Sequence, residues 1–167
     1  MRRVTTVSDS ILVAAKPLDV YEQISDPRLM GRWSPENLGA TIREPRESSY
    51  AGMEFDGVNK RGLTKWVTRC VVTAADPGER FAFQVQAIGA REPWIRAGIA
   101  SWEYRFTQED GGTRVTETWT DDRRRWPNAA VQVFDRIVTG GDTFAQFQAK
   151  NIARTLRNLK KQLEQAG

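Results

Sequence analysis

Two side chains in this sequence are placed for acid–base work in an apolar setting, Glu117 and Tyr104. Strand alternation sets Glu117 between Val115 and Trp119 on one face, and sets Tyr104 between Trp102 and Phe106 on one face of the preceding strand. A carboxylate among apolar groups disfavours its charged form, so its pKa rises unless a cation stands close. A value near neutrality suits a general acid or base, and a nearby phenol adds a hydroxyl. The same placement also serves a carboxyl that anchors a ligand hydroxyl, or one half of a salt bridge with an inward-pointing arginine. Other chemistries are excluded by composition. The 167 residues include no histidine and one cysteine, Cys70, which removes Ser-His and Cys-His nucleophilic dyads and any internal disulfide. No metal site is expected from such a residue set, and with no Gly-rich phosphate loop or dinucleotide fingerprint no cofactor is expected either.

The elements that must position these groups follow from periodicity. Asp142 to about Ala166 reads as one long amphipathic helix, with Gly140-Gly141 breaking the preceding segment and Asp142 as N-cap. Phe144, Phe147, Ile152, Leu156, Leu159 and Leu163 share one side, opposite Lys150, Arg154, Arg157 and Lys161. Within the apolar side run Gln148, Asn151 and Thr155, spaced i, i+3, i+7. Such a stripe either faces a cavity or lies at the wetted edge of the covered arc.

Val4 to Ala14 reads as a strand, Pro17 opens a short helix to Ile24, and Pro27 to Trp33 forms a second short helical piece. Six strands follow: Leu38 to Glu47, Met53 to Lys60, Trp66 to Ala75, Arg80 to Ile88, Ile99 to Gln108 and Thr113 to Thr120. Pro127 starts a helix from Asn128 to Val138. A sheet with one apolar face needs a partner layer, and the long helix is the element able to supply it. The expected fold is α+β, a curved seven-stranded antiparallel sheet wrapped around a C-terminal helix, as a single domain over 1–167. Alternation turns inward Phe55, Gly57 and Asn59; Trp66, Thr68 and Cys70; Phe81, Phe83 and Val85; Trp102 and Tyr104; Glu117 and Trp119. An aromatic interior dotted with polar groups fits a ligand pocket, and it also fits a solid aromatic core.

The net charge is +4, but basic residues are interspersed with acidic ones except at Arg123-Arg124-Arg125, so a nucleic-acid partner is not expected. No apolar run is long enough for a signal peptide or an integral membrane segment, and a soluble cytoplasmic protein is expected. The sequence implies no oligomeric state.

From Ser10 to Glu164 the chain resembles the polyketide cyclase/dehydrase and lipid-transport group of the START-like (SRPBCC) helix-grip superfamily. The residues that carry the likeness are Ile11 to Pro17, Val20-Tyr21, Ser25-Asp26-Pro27, Met30 and Trp33-Ser34-Pro35-Glu36; then Phe55, Gly57, Asn59, Gly62 and Trp66; then Trp102-Glu103-Tyr104, Gly112 to Glu117, Asn151, Thr155-Leu156 and Leu159-Lys160. Tyr21 stands where such proteins commonly have Trp. The resemblance implies a cavity for a hydrophobic or aromatic molecule, and it adds Trp33 to the candidate ligand-binding residues. It implies a portal formed by Asn59 to Thr64, by Gly89 to Gly98 with Trp94, and by Asp121 to Pro127 with Trp126. Trp94 then serves as a lid or as a surface aromatic, and the arginine run attracts an anionic ligand or is simply solvated. Three functions follow as expectations: a binder of a small hydrophobic or polyaromatic ligand of lipid-like or polyketide-like character, a cofactor-independent cyclase, aromatase or dehydratase acting on such a ligand, or a module that docks a protein or membrane.

Overall fold

Alternating apolar residues along seven segments make one sheet, seen in a computed structural model that describes residues 3–165. The strands are β1 (Thr6–Val13), β2 (Asn37–Ile42), β3 (Glu54–Arg61), β4 (Thr64–Asp76), β5 (Arg80–Gly89), β6 (Ile95–Glu109) and β7 (Gly112–Asp121). All neighbours are antiparallel, in the order β1-β7-β6-β5-β4-β3-β2, so the first strand closes beside the last. Register shifts at Arg69/Cys70, Val72/Ala74 and Val85/Ala87 place bulges in the central strands, and such insertions bend and twist a sheet. Helix α1 (Pro17–Ile24) and a 3-10 helix (Pro27–Arg32) bridge β1 and β2, and α2 (Asn128–Thr139) precedes α3 (Phe144–Gln165). No helix among the described residues is long and apolar enough to cross a membrane.

Three boundaries differ from the expectation for identifiable reasons. Strand β2 stops at Ile42 instead of reaching Glu47, because Pro45 has no N–H to give a ladder. Strand β6 starts at Ile95, four residues early, since Arg96 and Ile95 pair with Ala87 and Ile88 beyond the bulge. The cap of the long helix is Thr143, not Asp142. The Gln146 N–H donates to Thr143 Oγ1 at 3.2 Å and the Thr143 N–H to Gln146 Oε1 at 3.1 Å, a reciprocal capping box, while the Asp142 carboxylate accepts from Lys150 Nζ at 3.0 Å. Ala166, to which the sequence extends that helix, lies outside the described residues.

Helix α3 has two distinct halves. In the C-terminal half Leu156 and Leu159 are buried and Leu163 half-buried, and the helix lies closest to β1. That half is also pinned by polar contacts: Lys160 Nζ donates to Leu12 O at 2.8 Å, Ala14 N–H to Glu164 Oε1 at 3.0 Å and Asn158 Nδ2 to Trp33 O at 3.0 Å. Arg154, Arg157 and Lys161 point outward to solvent, as the helical period requires. Gly140 ends α2 in the left-handed region at φ 77°, donating to Arg136 O, which a glycine does without a Cβ penalty.

Candidate functional site

The N-terminal half of α3 does not close down on the sheet. Between them lies a cavity of about 150 Å³, partly open to solvent. Strand alternation delivers Phe55, Gly57, Asn59 and Arg61 from β3, Trp66, Thr68 and Cys70 from β4, Phe83 and Val85 from β5, Trp102 and Tyr104 from β6, and Glu117 and Trp119 from β7. Trp33 follows the 3-10 helix, α2 adds Phe134 and Val138, and α3 adds Phe144, Gln148, Asn151 and Thr155. Every residue that the sequence nominates for ligand binding therefore lines this one space. Of the two placements open for the helical stripe, the structure shows the cavity: Gln148 and Thr155 are buried and Asn151 half-buried, with Asn151 Nδ2 3.4 Å from Gln148 Oε1.

The polar atoms are unevenly satisfied. Tyr104 and Glu117 face each other across the β6–β7 ladder, and the phenol O–H donates to Glu117 Oε1 at 3.0 Å. Glu117 Oε2 and Trp119 Nε1 are buried with no hydrogen-bond partner. Burial pushes the Glu117 carboxyl up to about 8; the Tyr104 hydrogen bond works in the opposite direction, and the negative charge of Asp9, opposite it on β1, adds to the rise. The Tyr104 phenol is itself pushed well above its ordinary value by burial and by Glu117. At neutral pH the pair is thus mostly a carboxylic acid beside a phenol, and the anticipated alternative of an ion pair does not occur among the described residues. Cys70 is buried and its thiol is raised to about 12, so it offers no thiolate nucleophile. At the other end Asn59 Nδ2 stands 3.4 Å from Thr68 Oγ1, and Asn37 Nδ2 stands 3.5 Å from Asn59 Oδ1.

Arg61 lies within the Asn59 to Thr64 segment that the resemblance assigns to the portal, but sequence reasoning did not single it out as a lining residue. Its Nε donates to Glu36 Oε1 at 2.7 Å, its guanidinium lies 3.8 Å from the Phe147 ring centre, and its Nη1 donates to Val138 O. This side chain ties the β3–β4 hairpin to the segment after the 3-10 helix, to α2 and to α3. The signal was present in the alternation, which runs Phe55, Gly57, Asn59, Arg61 once β3 is carried past Lys60. Of the segments assigned to a portal by resemblance, only Asn59 to Thr64 contributes lining side chains. Trp94 is 74 % exposed on its loop, and Trp126 is half-buried with its ring edge-on to Phe134 at 5.6 Å.

The arginine run divides: Arg124 and Arg125 are solvated, one of the two outcomes expected of it, and Arg123 follows neither. Arg123 is buried, holding Asp121 through Nε and Nη2 at 2.9 and 3.0 Å and Asp135 through Nη1 at 2.7 Å; Arg124 and Arg125 are exposed. Asp135 Oδ2 in turn accepts the Phe144 N–H at 3.1 Å. The network fixes α2 to the end of β7 and to the first turn of α3, which seats Phe134 and Val138 over the cavity.

A curved antiparallel sheet gripping a C-terminal helix around a lined cavity is the START-like helix-grip class. Within it, the chain belongs to the family described as polyketide cyclase/dehydrase and lipid transport, whose profile matches residues 4–164. A START superfamily protein from Mycobacterium smegmatis superposes with a TM-score of 0.69 at 12% identity, covering 98% of this chain and 100% of that one. A polyketide-cyclase-like protein from Corynebacterium glutamicum superposes with a TM-score of 0.59 at 26% identity, covering 98% and 94%. The di-domain ARO/CYC StfQ from the steffimycin biosynthetic pathway is similar over 97% of this chain and 51% of its own, with a TM-score of 0.65 at 16% identity. No curated protein matches the chain.

Proposed function

We propose that the protein, acting as a single domain, binds a small hydrophobic molecule in the cavity between the sheet and the N-terminal half of α3. The observation that carries this is the pairing of an aromatic lining with buried polar atoms, Glu117 Oε2 and Trp119 Nε1, that no protein group satisfies. A solid aromatic core would neither leave that space nor strand those atoms. Volume then limits the occupant. Ligand pockets generally enclose about 300 to 1,000 Å³, whereas a space of about 150 Å³ holds roughly one benzene-sized ring. The cavity in this conformation accordingly suits a one-ring ligand, and a polycyclic or lipid-like guest calls for a wider mouth, where α2 and Arg61 would have to move outward.

The second reading, cofactor-independent cyclisation, aromatisation or dehydration, is favoured by the Glu117–Tyr104 pair. A carboxyl with a pKa of about 8 delivers and recovers a proton near neutrality. Native mass spectrometry of purified protein tests the binding reading, followed by titration with single-ring and polycyclic aromatics while Trp emission is recorded. Retained compound or a saturable emission change is expected, with Trp66, Trp102 and Trp119 as reporters. Absence of both across the panel contradicts binding, and turnover of a bound compound that Glu117→Gln abolishes without weakening its binding assigns catalysis.

A further inference from the structure

The buried hydrogen-bond capacity left over in the cavity describes the ligand more closely than hydrophobicity does. Glu117 and Trp119 lie two residues apart on β7 with side chains on the same face, and both line the cavity. Among the described residues only three buried side-chain N or O atoms lack a partner, and two of them are Glu117 Oε2 and Trp119 Nε1. Trp119 Nε1 can only donate. The Tyr104 hydroxyl already donates to Glu117 Oε1, so the carboxyl proton, when present, belongs on Oε2, where it too needs an acceptor. The charged and titratable groups around the pair leave this unchanged. Tyr104 on β6 is its hydrogen-bond partner, Asp9 on β1 adds negative charge, α3 offers the uncharged Gln148 and Thr155, and the Glu36–Arg61 ion pair at the mouth is mutually satisfied.

Resting on the cavity-binding reading above, we propose that the cavity wall at Glu117 and Trp119 is a carbonyl-oxygen site: a neutral single-ring ligand seats a ketone or comparable acceptor oxygen on Glu117 Oε2 and Trp119 Nε1 as these side chains shift to uncover their sealed atoms, with its ring among the aromatic lining. One carbonyl oxygen has two lone pairs and answers both donors. A hydrocarbon of the same shape answers neither, and a carboxylate brings a negative charge to a buried place with no cation beside it. Because the carboxyl titrates at about 8, its donor is present at pH 6 and largely lost at pH 9, where it becomes an anion facing the carbonyl oxygen.

The test is calorimetric titration of the full chain with acetophenone, ethylbenzene and benzoate at pH 6 and pH 9. Acetophenone is expected to bind about tenfold or more tighter than ethylbenzene at pH 6, as two hydrogen bonds of ordinary net strength give. That preference should shrink at pH 9, and benzoate should bind weakest. Trp119→Phe keeps an aromatic ring without the donor and should lose most of the preference. Glu117→Gln keeps an N–H donor and should hold its preference from pH 6 to pH 9. The parent comparison needs no variant to fold. If ethylbenzene binds as tightly as acetophenone, the carbonyl site is wrong while the cavity reading stands; if benzoate binds best, the polarity assigned to the site is wrong; if none of the three binds, the carbonyl site falls, and the cavity reading falls with it only when the polycyclic panel and native mass spectrometry are also blank.

Discussion

Four residues apart on β7, Glu117 and Asp121 each bury a carboxylate, at 2% and 1% exposure, and the protein treats them in opposite ways. Asp121 receives a bidentate Arg123, whose other side holds Asp135, while Arg3 Nε stands 3.6 Å away. Glu117 receives a single phenol. Burial costs both groups dearly, so the difference lies in compensation. Full pairing at Asp121 makes a clasp that locates α2. Partial pairing at Glu117 leaves hydrogen-bonding capacity inside a cavity, and a group kept in that state stabilises the empty protein poorly but is ready for a ligand.

Breaking the clasp should have the largest effect. Arg123→Met leaves Asp135 buried without a cation and Asp121 with only the more distant Arg3, and a loss of about 3 to 5 kcal/mol is expected in urea unfolding. A loss under about 1 kcal/mol would mean that the two carboxylates are not held by this pairing. Next comes the packed half of α3, where Leu156→Ala should cost about 2 to 5 kcal/mol by denaturant titration, the usual cost of truncating a buried leucine. A value near zero would remove that half from the core.

The Glu117 side sharpens the contrast through pH. Its folded pKa of about 8 lies above the ordinary 4.5, so the folded state holds the proton more tightly than the unfolded chain does. The associated stability is fully present below about 4.5, declines as pH rises, and is gone once pH passes about 8. Relative to Glu117→Gln, the parent should lose about 4 kcal/mol between pH 5 and pH 9, seen as diverging unfolding midpoints. Parallel curves for the two proteins would place Glu117 in water. Smallest of all, Trp119→Phe removes a donor that has no partner but also trims a buried ring, so a loss of about 1 to 2 kcal/mol is expected in thermal melts while ligand preference changes.

Much of this contrast was legible in the sequence because sheet faces obey a period of two. Glu117, Tyr104 and Trp119 could be assigned inward from their neighbours alone, whereas the helical period set Gln148, Asn151 and Thr155 within the apolar side but left cavity and wetted edge both open. What stayed hidden depended on partners distant in sequence or on competing local bonds. Arg123 reads as part of a solvated run until α2 brings Asp135 over it. Asp142 and Thr143 are both capable caps, and the choice falls to Thr143 through the reciprocal bond with Gln146. The start of β6 at Ile95 was masked by the bulge in β6 itself, where Ala97, Gly98 and Ile99 stand against Gln86 alone. The cavity volume depends on how α2 and Arg61 close over the mouth, which no local period encodes.

The central claim is that β7 keeps one buried carboxyl uncompensated for a ligand, and carbon-13 NMR titration of the Glu117 side chain measures this directly. In the free protein a midpoint near 8 is expected, and saturating acetophenone should raise it further because the ketone favours the protonated carboxyl. A midpoint in the ordinary carboxylate range, or one that the ketone leaves unmoved, would contradict it.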